Sequence, residues 1–406
     1  MRKLIFTLIA LMLVSPVANA GVKWNNSGDK DGGEVKLWPG NSRIPSDFNP
    51  NLATVREHFQ RYNKTGVPRD ERFASKPSQK PMRLFFDTKH SSVIQKEMKR
   101  SYLASYIMYE KGKIIIDEKS PDQRLGDLFN EDTLLYSMSL GKSLGGYLMG
   151  HAICKGFIES VDQTLSDWPL AKNTLLENIT VRDVLNSTMG DQKYRNMSPE
   201  YFKLSKRDPG DVSISDVVVK DLKGSKSGEK IFSYGQFPAN VAWNYISFKT
   251  NNQFQGFIDD VMQNNIGLES TLKVNTGSGP EKDGPLQSNF KATRQDTLRI
   301  GIAILRDWKT NNCVGKFLKD IFKTRVKKGS DKLGMGDGFS NSYAGFFHTG
   351  YPNVKDTVMG MDGYGGIALL INFDDERIIY AHAIHRNYNY KKIVMKAIRD
   401  GKFSSW

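Results

Sequence analysis

The stretch that decides the fold is residues 136–146, YSMSLGKSLGG, which runs directly into the apolar segment 147–153, YLMGHAI. A polar turn therefore opens a helix, and Ser139 and Lys142 lie three residues apart on its first turn. Residues at positions i and i+3 share one face of a helix, so the hydroxyl and the amine can touch. This is the geometry that a serine nucleophile with a lysine base requires.

The same letters support two other interpretations. The segment 141–145, GKSLG, matches the G-x-S-x-G nucleophile elbow, in which Ser143 is the nucleophile. The letters GKS at 141–143 also resemble the end of a phosphate-binding loop, but that motif requires a glycine where Tyr136 stands. The phosphate-loop interpretation is therefore excluded, and two candidate serines remain.

The pattern S-x-x-K alone is a weak signal, because the chain matches it at Ser27, Ser139, Ser227, Ser270 and Ser288. Only Ser139 is followed by an apolar helix. The elbow interpretation needs a parallel sheet and a late histidine, for which His382 and His385 are available. However, the strands recognised in this sequence are joined by hairpins rather than by helical crossovers. The topology therefore favours Ser139 over Ser143.

Residues 1–20 have the pattern of a secretory signal peptide. A basic start at Arg2 and Lys3 precedes an apolar run at 4–14 and a small-residue site, ANA, at 18–20. We expect cleavage after Ala20 and a periplasmic or secreted location. No later segment is long and apolar enough to span a bilayer, so no stable membrane insertion is expected after cleavage.

Composition gives no sign of a nucleic-acid partner or a metal site. The formal net charge is +14, but the basic residues are scattered and form no patch with interleaved aromatic residues. The closest histidine pair, His382 and His385, lacks an acidic third ligand. Cys154 and Cys313 are the only cysteines and make no disulfide framework. Cys154 fits a small core residue, and a single bridge between the two remains open.

Composition and hydrophobic periodicity indicate three regions, the last of which lies within the second. Residues 21–95 are predicted to be an irregular N-terminal extension on the domain surface, with one amphipathic helix near 52–62. Residues 96–406 form one domain, which begins with strands at 103–110 and 113–118 around a tight turn. A helical region covers about 140–290 and includes a helix capped by Thr180 that should end at Gly190.

Helices are also predicted after Tyr234 and over about 294–308. In the C-terminal third, strands at 367–373 and 377–384 form a hairpin, and residues 390–400 form a closing helix. We therefore predict an α+β fold of three layers. Its mainly antiparallel sheet is assembled from both ends of the chain, with the helical region inserted between them.

The order of these segments resembles the serine beta-lactamase and penicillin-binding-protein-like superfamily. It is most similar to the class C and esterase-like branch that includes 6-aminohexanoate-oligomer hydrolases. The matching pieces are the Ser139 turn with its glycine-rich helix, GFI at 156–158, the segment from Thr180 to TMG at 188–190, FSY at 232–234 and the glycine-rich turn at 362–366. The resemblance covers roughly 102–402. It implies a beta-lactamase/transpeptidase-like fold and serine hydrolase activity without a metal or organic cofactor.

The resemblance further implies a Ser-Lys-Tyr mechanism. Ser139 would be the nucleophile and Lys142 its base, while Tyr234 would relay a proton to the leaving group. A lysine base near neutral pH needs its pKa lowered by ~3 units, and burial or the helix dipole acts in that direction. The family's Y-x-N/S element ends here in Gln236, a departure, and we expect its amide to contact the substrate. Tyr194, in a literal Y-x-N match, is the second candidate for the tyrosine.

The family's K-T-G element is missing. His348-Thr349-Gly350 resembles it by letters, but too many residues separate it from the next clear strand. The turn DGYGG at 362–366 fits better, and we expect an oxyanion hole from the backbone amides of Ser139 and Tyr364, with Gly363 allowing close approach.

Loss of the K-T-G lysine, which normally helps to hold the carboxylate of penicillins, disfavours a beta-lactamase or D-amino-acid peptidase. The sequence therefore favours an esterase or amidase for a small-molecule or peptide substrate. The alternatives are a catalytically silent envelope-binding protein of the same fold and a beta-lactamase or D-amino-acid peptidase.

Overall fold

The chain folds around a large antiparallel sheet whose strands come from both ends of the sequence. The computed structural model describes residues 34–38, 41–45, 51–64, 73–101, 103–120, 125, 129–194, 214–276, 286–329, 340–384, 388 and 390–401. The predicted signal peptide and His385 lie outside these residues.

The strands of the described residues are β1 (Leu37–Trp38), β2 (Asn41–Pro45), β3 (Phe73–Ser75), β4 (Leu103–Glu110), β5 (Lys113–Lys119), β6 (Leu135–Tyr136), β7 (Leu272–Thr276), β8 (Leu286–Ala292), β9 (Val326–Lys327), β10 (Ser342–Ala344), β11 (Phe347–Thr349), β12 (Val358–Gly363), β13 (Ile367–Asn372) and β14 (Arg377–Ala383).

The α-helices of the same residues are α1 (Leu52–Lys64), α2 (Ser92–Arg100), α3 (Leu140–Cys154), α4 (Val181–Leu185), α5 (Ile214–Asp221), α6 (Gln236–Thr250), α7 (Phe254–Asp259), α8 (Arg294–Thr310), α9 (Cys313–Lys323) and α10 (Lys391–Asp400). A π-helical segment, Asp260–Ile266, continues α7.

The large sheet has the strand order β5-β4-β14-β13-β12-β11-β10-β9. Each neighbouring pair in it is antiparallel. The β4–β5 hairpin turns at Lys111 and Gly112, whose φ angles of +46° and +93° suit a tight two-residue turn. Both predicted hairpins are therefore confirmed, and β14 joins the strands of the two chain ends.

The sheet is covered on both faces, which confirms the three-layer α+β prediction. On one face, α3 buries apolar residues such as Leu144 and Leu148 in the main core. On the other face, Ile393 and Val394 of α10 and Ile94 of α2 form a second apolar cluster with the sheet. Each face thus removes a separate set of apolar side chains from water, the main favourable term in folding.

A smaller sheet has the strand order β3-β7-β8-β6. Its strand β6 leads directly into the turn that carries Ser139, here called the nucleophile turn (residues 137–139). Its strand β3 belongs to the segment predicted as a surface extension, and it pairs with β7. Val55 and Phe59 of α1 are also buried in the main core. Helix α1 confirms the amphipathic helix predicted near 52–62. The described part of residues 21–95 is nevertheless not the irregular surface layer that we expected, because α1 buries two apolar side chains and β3 joins a sheet. The domain boundary at 95 stays a prediction.

Helix α4 begins as predicted and ends early. Thr180 and Asp183 form a reciprocal capping box at its start. The helix ends at Leu185 rather than at Gly190, and Ser187 then takes a φ of +54°. A left-handed residue stops helical hydrogen bonding, so the prediction of the helix end was wrong.

Glycines let α3 lie between the two sheets. A Cβ atom on Gly141 would lie 1.9 Å from the carbonyl oxygen of Ser288 on β8. A Cβ on Gly146 would lie 2.1 Å from the carbonyl oxygen of Gly345, between β10 and β11. Side chains at either position would push the helix away from a sheet.

Within the described ranges, no helix has the length and apolarity needed to cross a membrane.

Cys154 at the end of α3 and Cys313 at the start of α9 form a disulfide across a sequence separation of 159 residues. This answers the question that the sequence left open. The bond links α3 to α9, and both helices pack in the main core on the same face of the large sheet.

We predict that Cys154→Ser lowers the free energy of unfolding by about 2–5 kcal/mol, because closing so long a loop restricts the unfolded chain. Denaturant unfolding at neutral pH measures the change. The double variant Cys154→Ser/Cys313→Ser should lose no more than the single variant. An unchanged unfolding midpoint in the single variant would contradict a stabilising bridge.

Candidate active site

Ser139 and Lys142 meet at the first turn of α3. Ser139 is the N-cap residue, and the Nζ of Lys142 donates a hydrogen bond of 2.9 Å to its Oγ. Ser139 is half-buried, whereas Lys142 is only 3% exposed. The structure therefore gives the serine hydroxyl access to solvent and encloses its amine partner.

A strained residue and a glycine fix the position of the nucleophile turn. Met138 has a φ of +49°, an unfavourable conformation for a residue other than glycine. Beside it, a Cβ on Gly363 would lie 2.6 Å from the carbonyl oxygen of Ser137 and 3.2 Å from the Cβ of Met138. The end of β12 therefore touches the segment that carries Ser139, and the turn at 364–366, including Tyr364, follows directly.

Burial lowers the pKa of Lys142 to about 7. Its Nζ also donates to Oε1 of Gln236 at 2.8 Å and lies 5.3 Å from the ring centroid of Tyr234. The two acceptors, Ser139 and Gln236, are both neutral. They offset less of the cost of a buried charge than a carboxylate would. An appreciable fraction of this amine is therefore unprotonated near neutral pH.

Gln236 reaches the amine because it is the first residue of α6 and points back towards α3. Its Nε2 donates to Oδ1 of Asn240 at 2.9 Å and to Oγ of Ser288 at 2.5 Å. These two acceptors fix the amide with its oxygen towards Lys142. The longer side chain thus reaches the amine of Lys142, while its contact with a substrate stays a prediction.

Ser143 is a packing residue of α3. Its side chain is buried, and its Oγ donates a 2.6 Å hydrogen bond to the carbonyl oxygen of Phe346. His382 is buried on β14 within 3.0 Å of the hydroxyl of Tyr380, and burial lowers its pKa to about 3. Because the large sheet is antiparallel throughout, it does not supply the parallel strand order that the nucleophile elbow requires. The geometry thus leaves Ser139 as the candidate nucleophile.

The two candidate tyrosines, Tyr234 and Tyr194, have different neighbours in the structure. Tyr234 is half-buried and has Lys142 over its ring. Tyr194 is buried, its hydroxyl contacts Asp221, and its ring lies 5.2 Å from that of Phe237. The described contacts of Tyr194 are thus with Asp221 and Phe237, whereas those of Tyr234 include the amine of Lys142.

Sequence inspection missed the position of His348. It lies on β11 opposite Gly360 of β12, and its ring is 5.9 Å from the ring of Tyr234. The letters HTG at 348–350, an imperfect K-T-G, begin on β11 and not on β12, the strand that leads into the turn at 364–366. Only the pairing of β11 with β12 brings this histidine to the tyrosine, and no local pattern predicts that contact.

These groups together can perform acyl transfer. A neutral amine next to a hydroxyl can take its proton, and a backbone turn alongside can hold a developing negative charge. In the parts of the chain that the structure describes, no cluster of three or more His, Cys, Asp or Glu side chains is arranged to hold a metal ion.

The fold with this site is that of the serine beta-lactamases and penicillin-binding proteins. A structure from Bacillus anthracis that bears the name 6-aminohexanoate-dimer hydrolase matches 86% of the chain, and 92% of its own length, with a TM-score of 0.63 and 15% identity. A penicillin-binding protein from Bacillus halodurans matches 76% of this chain and 99% of its own, with a TM-score of 0.56 and 15% identity.

A D-stereospecific amidohydrolase from Streptomyces sp. matches 77% of the chain and all of its own length, at a TM-score of 0.55 and 12% identity. No family model and no curated protein matches the sequence. Likeness at such low identity establishes the fold. The predicted beta-lactamase/transpeptidase-like fold, and the superfamily resemblance at the level of the fold, are therefore confirmed.

We predict that the reactivity of Ser139 rises with pH through a midpoint near 7. Lys142 accepts a proton only when it is neutral, and its pKa in the folded protein is about 7. At pH 5 the rate should thus be about 1% of its high-pH plateau. The second-order rate of labelling by a fluorophosphonate, measured from pH 5 to 9, tests this. A rate that still rises tenfold per unit at pH 9 would show an ordinary lysine.

Proposed function

We propose that the protein is an exported serine hydrolase that cleaves an ester or amide bond through an acyl-enzyme on Ser139. The observation that carries this proposal is the 2.9 Å hydrogen bond between Lys142 Nζ and Ser139 Oγ, made by an amine whose pKa burial lowers to about 7. A nucleophile and a base matched to neutral pH are the minimum that acyl transfer needs.

The proposed reaction assigns one step to each of these groups. Neutral Lys142 takes the proton of Ser139 as Oγ attacks the carbonyl carbon. The oxyanion of the tetrahedral intermediate is held by the backbone amides of Ser139 and Tyr364, a pair of donors of the kind that lowers such barriers by several kcal/mol. Tyr234 passes a proton to the leaving group, which departs as an alcohol or amine. Water then attacks the acyl-enzyme with the same groups acting in reverse.

The names of the similar structures support a hydrolase of this fold, and the site supports an esterase or amidase over a beta-lactamase. The turn at 362–366 has no lysine, so the cation that the K-T-G element offers to a penicillin carboxylate is absent from this segment. We therefore propose a small-molecule or peptide substrate, bound without a cofactor or metal ion.

Two observations support export. The sequence of residues 1–20 has the three parts of a signal peptide. The disulfide between Cys154 and Cys313 is typical of proteins that fold in an oxidising compartment. The proposed location is the periplasm or the exterior.

The nucleophile is tested by labelling with a fluorophosphonate and locating the adduct by peptide mass spectrometry. Wild type should carry the label on Ser139, and Ser139→Ala should carry none. The matched control is Ser143→Ala, which loses one hydrogen bond, worth about 1 kcal/mol, and should label at the wild-type rate. A folded wild-type protein that stays unlabelled would instead support the silent binding protein, and loss of labelling only in Ser143→Ala would restore the elbow interpretation.

The role of Tyr234 is tested by two esters with the same acyl group, p-nitrophenyl butyrate and methyl butyrate. Nitrophenolate leaves without a proton, whereas methoxide needs one. We predict that Tyr234→Phe lowers kcat/KM for the methyl ester by about 10²-fold or more and for the nitrophenyl ester by far less. Equal losses for the two esters would remove Tyr234 from proton transfer. Nitrocefin and D-amino-acid peptides, assayed alongside, decide the substrate class.

A further inference from the structure

A row of ionisable side chains leads away from Tyr234 through the large sheet. At its centre is His348, which is only 2% exposed. Its Nδ1 lies 2.6 Å from Nζ of Lys328 and 3.3 Å from Oγ of Ser340. Its Nε2 lies 3.9 Å from Oδ2 of Asp362, a residue of β12. The imidazole therefore has a lysine within hydrogen-bond distance on one side and a carboxylate within 4 Å on the other.

These contacts fix the state of the ring. A lysine ammonium donates hydrogen bonds and accepts none, so Nδ1 of His348 must accept from Lys328. A neutral imidazole that accepts at Nδ1 carries its proton on Nε2, the nitrogen that lies 3.9 Å from Oδ2 of Asp362. In functional sites, a residue next to the second ring nitrogen often sets the orientation of a histidine.

The held ring packs directly against Tyr234. The His348 and Tyr234 ring centroids are 5.9 Å apart, and Tyr343 lies 5.1 Å from the former and 6.0 Å from the latter. Nζ of Lys328 is 6.0 Å from the centroid of Tyr343. Tyr234 thus has the amine of Lys142 over its own ring, and a second lysine, Lys328, one side chain away.

The same row reaches the glycine-rich turn. Asp362 directly precedes Gly363, which abuts Ser137 and Met138 in the nucleophile turn. The carboxylate that faces His348 therefore belongs to the strand end that lies beside Ser137 and Met138.

We propose that His348, locked between Lys328 and Asp362, is a positioning residue for Tyr234, and that Lys328 adds the positive charge that eases proton loss from its phenol. This inference rests on the proposed function, because it assigns a role only if Tyr234 transfers a proton. In this role, His348 and Lys328 act on the reaction through Tyr234.

The variants separate charge, shape and hydrogen bonding. His348→Phe keeps a buried ring and removes both polar contacts, whereas His348→Gln restores an acceptor and a donor. Lys328→Met removes the charge at a half-buried position, and Lys328→Arg keeps it. The matched control is His382→Phe, a buried histidine on β14 of the same sheet whose polar partner is Tyr380.

The readout is the ratio of kcat/KM for methyl butyrate to that for p-nitrophenyl butyrate, with fluorophosphonate labelling as the measure of Ser139 itself. His348→Phe and Lys328→Met should lower the ratio about 10-fold to 100-fold, and labelling should stay within about threefold of wild type. His348→Gln and Lys328→Arg should recover most of the loss. His382→Phe should leave the ratio unchanged, whatever it does to thermal stability.

The double variant Tyr234→Phe/His348→Phe decides whether the histidine acts through the tyrosine. Its ratio should equal that of Tyr234→Phe alone, because a positioning residue has no effect once its target is removed. A further loss in the double variant, or a wild-type ratio in both His348→Phe and Lys328→Met, would overturn the inference. If His348→Phe does not fold, the double variant Tyr234→Phe/Lys328→Met is compared with Tyr234→Phe in its place. These results differ from failure of the proposed function, in which wild type itself would neither label nor turn over either ester.

Discussion

The site depends on one contact, the hydrogen bond from the buried amine of Lys142 to the hydroxyl of Ser139. Burying an ammonium is costly, and the protein meets this cost by lowering the pKa of the lysine to about 7 rather than by pairing it with a carboxylate. In the proposed mechanism, the resulting neutral amine is what turns an ordinary serine into a nucleophile. Everything that keeps water from this amine therefore contributes to the chemistry.

The architecture of α3 follows from that requirement. The helix lies between two sheets, and Gly141 and Gly146 let backbone from each sheet approach it closely. Gln236, at the start of α6, closes the remaining side of the amine with a neutral oxygen. The disulfide at the far end of the helix anchors it to α9. A helix in a looser setting would admit water, and the pKa of Lys142 would return towards that of a free lysine.

Local signals in the sequence predicted much of this fold. The hairpin at Lys111-Gly112, the cap at Thr180 and the pair Ser139 and Lys142 are each encoded within a few residues, so the sequence alone predicted all three. What it missed depends on partners distant in the chain. Strand β3 of the supposed surface extension pairs with β7, almost two hundred residues later, and a composition rich in polar residues conceals that pairing.

The same distinction applies within the site. The reach of Gln236 depends on where α6 begins relative to α3, and the proximity of His348 to Tyr234 depends on sheet register. Two cysteines separated by 159 residues likewise carry no signal of their bond. Contacts between residues that are close in the sequence can thus be predicted from the sequence itself. Contacts between residues on different strands become visible only in the assembled sheet.

The most direct test of this account is the titration of Lys142 itself. In protein labelled with ¹³C at lysine Cε, the Lys142 signal is identified by its loss in Lys142→Met and followed by NMR from pH 5 to 11. The account predicts a midpoint near 7 in wild type, well separated from the exposed lysines near 10.4. A midpoint close to 10 would mean that the amine stays protonated at neutral pH, and that Lys142 is not the base for Ser139.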